Sequence, residues 1–335
     1  MLRTPDRSAP AAVCFVVASA FILAAAGGAS GRTDGGFSPE KASLALRVGD
    51  LVVPYRVFAI SAMPEEIVPL EVLGSGDFVS GGEERYLLEP SRDGIARKGP
   101  GRWQWQVPKE AGLYPIRIVD TEAADTITLN AFVIVPYDQL EGEYLNGYRI
   151  GRYPAIPLKR LPIYKPPRGF IEVTEENAET YVAPHFRLSQ FLCKQGGDYP
   201  RYLVLKGKLL LKLELILEKV NEKGYPCTTL HIMSGYRTPY YNRVIGNVKY
   251  SRHIYGGAAD IFIDEDPRDD MMDDLNKDGK IDYRDAAVLY GIIDRMYGRS
   301  WYEPFVGGLA RYKKTASHGP FVHVDVRGFH ARWGD

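Results

Sequence analysis

Along the first third of the chain, apolar and polar residues alternate in short runs. Leu44, Leu46 and Val48 form one run, Trp103, Trp105 and Val107 another, and Ile127, Leu129 and Ala131 a third. A period of two marks a strand with one buried face. Gly- and Pro-containing turns separate the runs, at 74–77, 81–82 and 108–112. Residues 37–137 therefore predict a small antiparallel β-sandwich of immunoglobulin type. Residues 138–182 are rich in Tyr, Pro and Gly, including 148–154 and 162–169. They predict a linker that packs against its surroundings, because a disordered linker carries fewer aromatics.

From residue 183 the period changes. Leu205, Leu209, Leu213, Leu217 and Val220 recur at helical spacing, and Gly224-Tyr225-Pro226 ends the run; this predicts a long helix with a leucine face on the core. Strands are expected at 228–233 and 258–264, a helix at 286–296, and a hairpin from 306–312 and 321–326. Residues 183–335 are thus expected to form an α+β domain with an antiparallel sheet.

The N-terminus reads differently. Arg3 and Arg7 precede an apolar run at 11–26, with small residues at 24–29 as cleavage candidates. Residues 1–30 are expected to be a signal peptide, with an uncleaved anchor as the alternative. That places the protein outside the cytoplasm, in the periplasm or extracellular space. Forty-two basic and 42 acidic residues cancel in a chain of 335, so the charge footprint of a general nucleic-acid binder is absent. Of three cysteines, Cys14 lies inside the apolar run. Cys193 and Cys227 remain, either paired or as two buried thiols.

The chemistry concentrates in "SRHIYGGAAD", residues 251–260, and "FVHVDV", residues 321–326. His253 precedes a glycine turn, and Asp260 starts a strand. His323 and Asp325 share one face of another strand, and an antiparallel pairing would set His323 opposite Asp260. Two imidazoles and a carboxylate are a ligand set for zinc with a fourth position open. Ser251, His253, Gly256, Ala258 and Asp260 match every specified position of S-x-H-x-x-G-x-A-x-D. In this the chain resembles the zinc peptidases of the D-Ala-D-Ala carboxypeptidase and hedgehog type. The resemblance extends to "SGYRTPYYN", residues 234–242, and covers roughly the last 150 residues. It implies a zinc-dependent peptidase of peptidoglycan stem peptides, with Arg237 binding a substrate carboxylate or the developing oxyanion.

One departure stands out. The family places a catalytic base before the last ligand as Glu-x-x-His or His-x-His, and here those positions are Pro320 and Phe321. Asp325 is the leading substitute as base; its competing role is to accept the N–H of a ligand histidine. His318, in the hairpin turn, is a further candidate for proton transfer. His185, His231 and His330 are expected to be structural or at the surface.

A second metal site of different character is expected at 274–285, "DLNKDGKIDYRD". It fits the EF-hand calcium loop: Asp274, Asn276, Asp278, the Lys280 carbonyl, Asp282 and Asp285 supply oxygens around Gly279, and Ile281 is expected to pack inward. Asp285 stands where bidentate Glu is usual. The overall expectation is an exported zinc peptidase with structural calcium. Two other classes stay open: a catalytically inactive zinc-containing wall-binding module, and a calcium-dependent adhesion or scaffold protein.

Overall fold

The computed structural model describes residues 37–74, 84–90 and 94–334. The expected signal peptide, with Cys14, lies outside them. Among the described residues no helix is long and apolar enough to cross a membrane. The described architecture is mixed α and β, rich in sheet, with few helices.

Nine strands make up two sheets: β1 (Lys41–Val48), β2 (Leu51–Tyr55), β3 (Val57–Ala62), β4 (Ile67–Leu73), β5 (Tyr86–Pro90), β6 (Ile95–Gly99), β7 (Arg102–Gln106), β8 (Gly112–Asp120) and β9 (Asp125–Val133). The first has the order β2-β1-β4-β7-β6 and the second β3-β9-β8-β5. The alternating residues read from the sequence, Leu44, Leu46, Val48, Trp103, Trp105, Ile127, Leu129 and Ala131, are all buried. One pair departs from the antiparallel expectation. β3 runs parallel to β9, because the chain leaves β2 at Arg56 and continues directly into the other sheet.

The Tyr- and Pro-rich stretch is ordered. Tyr148, Tyr153, Tyr164 and Phe170 from it form an apolar cluster with Tyr202 and Tyr255. A small sheet of β10 (Val135–Pro136), β11 (Gly169–Val173) and β12 (Arg201–Leu203) carries the chain onward.

The C-terminal sheet has the order β13-β14-β16-β15-β17, from β13 (His231–Ser234), β14 (Ala258–Phe262), β15 (Gly308–Tyr312), β16 (Phe321–Asp325) and β17 (Ala331–Trp333). It is antiparallel except at its edge, where β17 runs parallel to β15. Three residues are too few for a period to show, so β17 was not expected. Ile232, Ile261, Val322, Val324 and Leu309 share the core face and are buried. The helices are α1 (Gly207–Glu222), α2 (Pro239–Val244) and α3 (Tyr283–Asp294).

Helix α1 is buried nearly all round, and this includes three charged residues, each with a partner. Lys212 Nζ donates to the Asp325 carbonyl at 2.7 Å. Glu214 accepts from the His185 amide at 2.9 Å and faces its Nδ1 at 2.7 Å. Glu218 accepts from Tyr55 Oη at 2.9 Å and Lys41 Nζ at 2.6 Å. Buried ionisable groups are tolerated when hydrogen-bonded in this way. Cys193 and Cys227 are both buried free thiols.

Leu213 on α1 is wholly buried. Leu213→Ala should cost about 2–5 kcal/mol in urea denaturation, from lost transfer energy and the cavity left behind. A cost within experimental error would mean that the helix face is not packed as described.

Candidate metal centre

Residues Arg252–Tyr255 form one 3-10 turn that Gly256 ends in the left-handed conformation, φ 62°. A Cβ at Gly256 would lie 2.2 Å from the Val204 carbonyl oxygen, so only glycine fits. The turn sets His253 beside strand β14. In the ladder of β14 and β16, Asp260 stands opposite His323, the pairing that alternation along both strands predicts.

The three side chains converge. Asp260 Oδ1 lies 2.8 Å from His323 Nδ1 and 3.3 Å from His253 Nε2, and the two nitrogens are 3.2 Å apart. All three residues are buried, at 2–6 % exposure. A tetrahedral ion with bonds of about 2.0–2.1 Å would hold its ligands roughly 3.3 Å apart. The spacing fits.

Proton bookkeeping supports the fit. His253 Nδ1 lies 2.7 Å from the Gly235 carbonyl, and that nitrogen must donate, which leaves a lone pair on Nε2. His323 Nε2 lies 3.2 Å from Asp325 Oδ2, which likewise directs the Nδ1 lone pair inward. Two lone pairs and a carboxylate oxygen therefore face one point, and this arrangement is satisfied by a cation. Burial pushes His253 below its ordinary value despite the opposing Asp260. For His323 burial acts the same way, but Asp260 and Asp325 outweigh it and raise the ring. Burial would raise the Asp260 carboxyl, yet the two histidines hold it well below the usual range.

A second layer encloses these ligands. Asp325 is fully buried and accepts from the Gly308 amide at 2.8 Å and from the Arg327 guanidinium. Burial would raise its carboxyl, but His323 and Arg327 hold it far below the ordinary value. Gly308 makes room for it: a Cβ there would meet Asp325 Oδ2 at 2.3 Å. Arg237 donates to Asp260 Oδ2 through Nη2 and to Ser234 Oγ at 2.8 Å through Nε. His318 faces the Gly319 carbonyl at 2.8 Å and stands edge-on to Phe321. No contact joins it to the three ligands among the described residues.

Two neighbours escaped the sequence reading. The Trp333 ring lies 5.1 Å from that of His323, and Arg327 stacks over Trp333 at 4.8 Å. Trp333 sits on β17, whose pairing no local period betrays; the proximity of Arg327 to Asp325 is a two-residue spacing that could have been noticed. A looser group, His231, Asp264 and Asp270, has gaps of 3.4 and 3.6 Å, and Asp270 is exposed. His231 also stacks on Phe262 at 4.3 Å.

In the 274–285 loop, Asp274 accepts from the amides of Asp278 and Gly279 at 3.2 and 2.7 Å, and Asn276 Oδ1 from the Asp278 amide at 2.9 Å. Asp285 is buried and accepts from the Asn276 and Asp282 amides at 3.1 and 2.8 Å. Asp282 caps helix α3. No helix enters the loop from its N-terminal side. Ile281, expected to pack inward, is instead 36 % exposed.

Residues 184–284 match the family model of peptidase M15. This segment resembles the M15 peptidases. It holds His253 and Asp260, while His323 is brought to them from beyond its end. The match supports a metallopeptidase in general, and the resemblance read from residues 251–260 stands. No curated protein matches the chain.

Asp325→Asn should weaken metal affinity about 10–100-fold in chelator competition, because His323 loses its orienting carboxylate. Unchanged affinity would remove Asp325 from the site. A ligand histidine must be neutral to bind, and metal-free His323 is raised above its ordinary 6.5. Bound metal should therefore be retained at pH 8 and lost progressively as pH falls below about 6.5, in a metal-content titration. Retention down to about pH 4 would contradict histidine ligation.

Proposed function

We propose that this chain is an exported zinc peptidase that hydrolyses peptidoglycan stem peptides. The reading rests on one observation: two imidazole lone pairs and a carboxylate oxygen face one point, 2.8–3.3 Å apart, in a chain that carries an M15-like segment. Zinc held there supplies Lewis acidity and a bound water acidic enough to ionise near neutral pH. His253, Asp260 and His323 hold the ion. The Gly235 carbonyl and Asp325 keep the protons of the two rings on their outer nitrogens. Arg237, beside Asp260, provides a guanidinium for a substrate carboxylate or an oxyanion. In this reading Asp325 orients His323.

A second reading has two observations in its favour. Asp325 is wholly buried and engaged by His323, Arg327 and Gly308, and Pro320 and Phe321 occupy the positions of the family's base. A zinc-holding module that binds the cell wall without cutting it fits those facts. Muropeptide mass spectrometry separates the two. The peptidase reading expects stem-peptide cleavage that chelator abolishes, zinc restores and His323→Ala eliminates. No turnover at any zinc loading would leave the binder.

Residues 274–285 are read as a structural calcium site. Calcium should raise the thermal unfolding midpoint of the wild-type chain, and the paired change Asp274→Ala with Asp278→Ala should remove that response. An equal calcium response in both proteins would refute it.

A further inference from the structure

Two stretches of the chain, residues 144–171 and 223–259, contain no Asp or Glu. The first holds six Lys or Arg and the second five, in a chain whose 42 basic and 42 acidic residues otherwise cancel. The fold lays the two against each other. The Tyr240 amide donates to the Ile150 carbonyl at 3.0 Å, Tyr250 Oη to the Ile156 carbonyl at 2.9 Å, and Arg252 Nη1 to the Ile163 carbonyl at 2.6 Å. The rings of Tyr164 and Tyr250 meet edge to face at 5.9 Å. Helix α2 and the turn after it therefore adjoin the Pro-rich loop along its length.

This is also where the chain leaves its apolar side chains in water. The three most exposed large apolar residues among the described ones are Ile156, Val248 and Val244, at 72, 69 and 61 %. Ile245 and Leu158 are exposed with them, and residues 243–249 are exposed without interruption. Val244 ends α2, and Val248 follows the turn at Gly246, φ 69°. A single exposed apolar residue needs no explanation, but five on two adjoining segments mark an interaction surface.

The cations around them are available to a partner. Lys159, Arg160, Lys165 and Lys249 are exposed and make no ion pair among the described residues. The carboxylates that bound the first stretch are engaged, Glu143 by Arg149 and Arg152, and Glu172 by Tyr202 Oη. A soluble polyanion would match these cations but leave the apolar side chains in water, and a neutral apolar partner would do the reverse. Anionic headgroups above acyl chains satisfy both. Tyr250, between the two segments, is an amphipathic ring suited to that boundary.

We propose that this face docks the protein on an anionic bilayer surface, with Ile156, Val244 and Val248 entering the headgroup boundary and Lys159, Arg160 and Lys249 meeting lipid phosphates. Pro154, Pro157 and Pro162 restrict the backbone of the loop, so less ordering is required when it binds. Docking of this kind needs no spanning helix. A balanced net charge argues against a general polyanion binder, but it does not bear on charge segregated to one face. The inference is independent of the peptidase reading, because no metal ligand takes part.

The test places an environment-sensitive fluorophore on the full chain at Val248→Cys, in a Cys14→Ser background; Cys193 and Cys227 are buried and stay out of its reach. The same label at Lys109→Cys, an exposed position before β8, is the control. Vesicles of about three parts phosphatidylglycerol to seven of phosphatidylcholine should raise fluorescence at 248 about twofold and leave 109 unchanged. Phosphatidylcholine alone should give little change, and added salt should reverse the rise. Lys159→Glu paired with Arg160→Glu should abolish it, with circular dichroism confirming that the variant is folded. Because the label reads the face itself, attachment of a vesicle through residues 11–26 does not imitate this pattern. Four results would overturn the proposal: no change at 248, an equal rise at 109, an undiminished response to neutral vesicles, or a wild-type response in the charge-reversed variant. An equal rise with soluble polyphosphate in place of lipid would assign the face to an anionic polymer and overturn it as well.

Discussion

Two imidazole nitrogens and a carboxylate oxygen, each carrying a lone pair, are crowded within 2.8–3.3 Å of one another inside the protein. Left alone, they would repel or capture a proton; with a divalent cation between them they are complementary. Much of the surrounding structure answers this constraint. The Gly235 carbonyl and Asp325 fix each ring from its far side, Arg327 and the Gly308 amide fix Asp325, and Arg237 takes the outer oxygen of Asp260. Lys212 holds the Asp325 backbone from the core side. Each group that touches the ligands is itself held by another.

The part of this that was legible in the sequence depends on period. Alternation along residues 258–264 and 321–326 was enough to predict that Asp260 and His323 face each other, because a strand offers only two faces and one had to bury Ile261, Val322 and Val324. The glycine requirement at 256 was likewise visible as a turn. Long-range neighbours were not. Trp333 reaches His323 through a three-residue parallel strand, and the Gly235 carbonyl is a backbone group with no signature of its own. In the two N-terminal sheets, alternation identified three of the nine strands, β1, β7 and β9, whereas the parallel pairing of β3 with β9 depends on where the chain changes sheet at Arg56. Ile281 shows a motif's limit: the loop's spacing fixes its oxygens, but burial of its apolar position needs a partner.

Helix α1 shows how the parts of the fold are joined. Its leucines would have been satisfied by any apolar surface, but its three buried ionisable side chains need particular partners. Glu218 finds them in Tyr55 of β2 and Lys41 of β1, Glu214 in His185, and Lys212 in the strand that bears His323. Apolar contact supplies the bulk of the stability, while these polar contacts specify which surface meets which.

The ladder between β14 and β16 has a wider consequence. Asp260 and His323 are 63 positions apart, yet their spacing is fixed by the hydrogen-bonded rungs of two adjacent strands and not by the chain between them. That intervening segment can lengthen, acquire a helix or take up a further loop at little entropic expense, as a hinge-free bridge keeps its span whatever is hung beneath it. Novelty can accumulate there while the chemistry above stays in register.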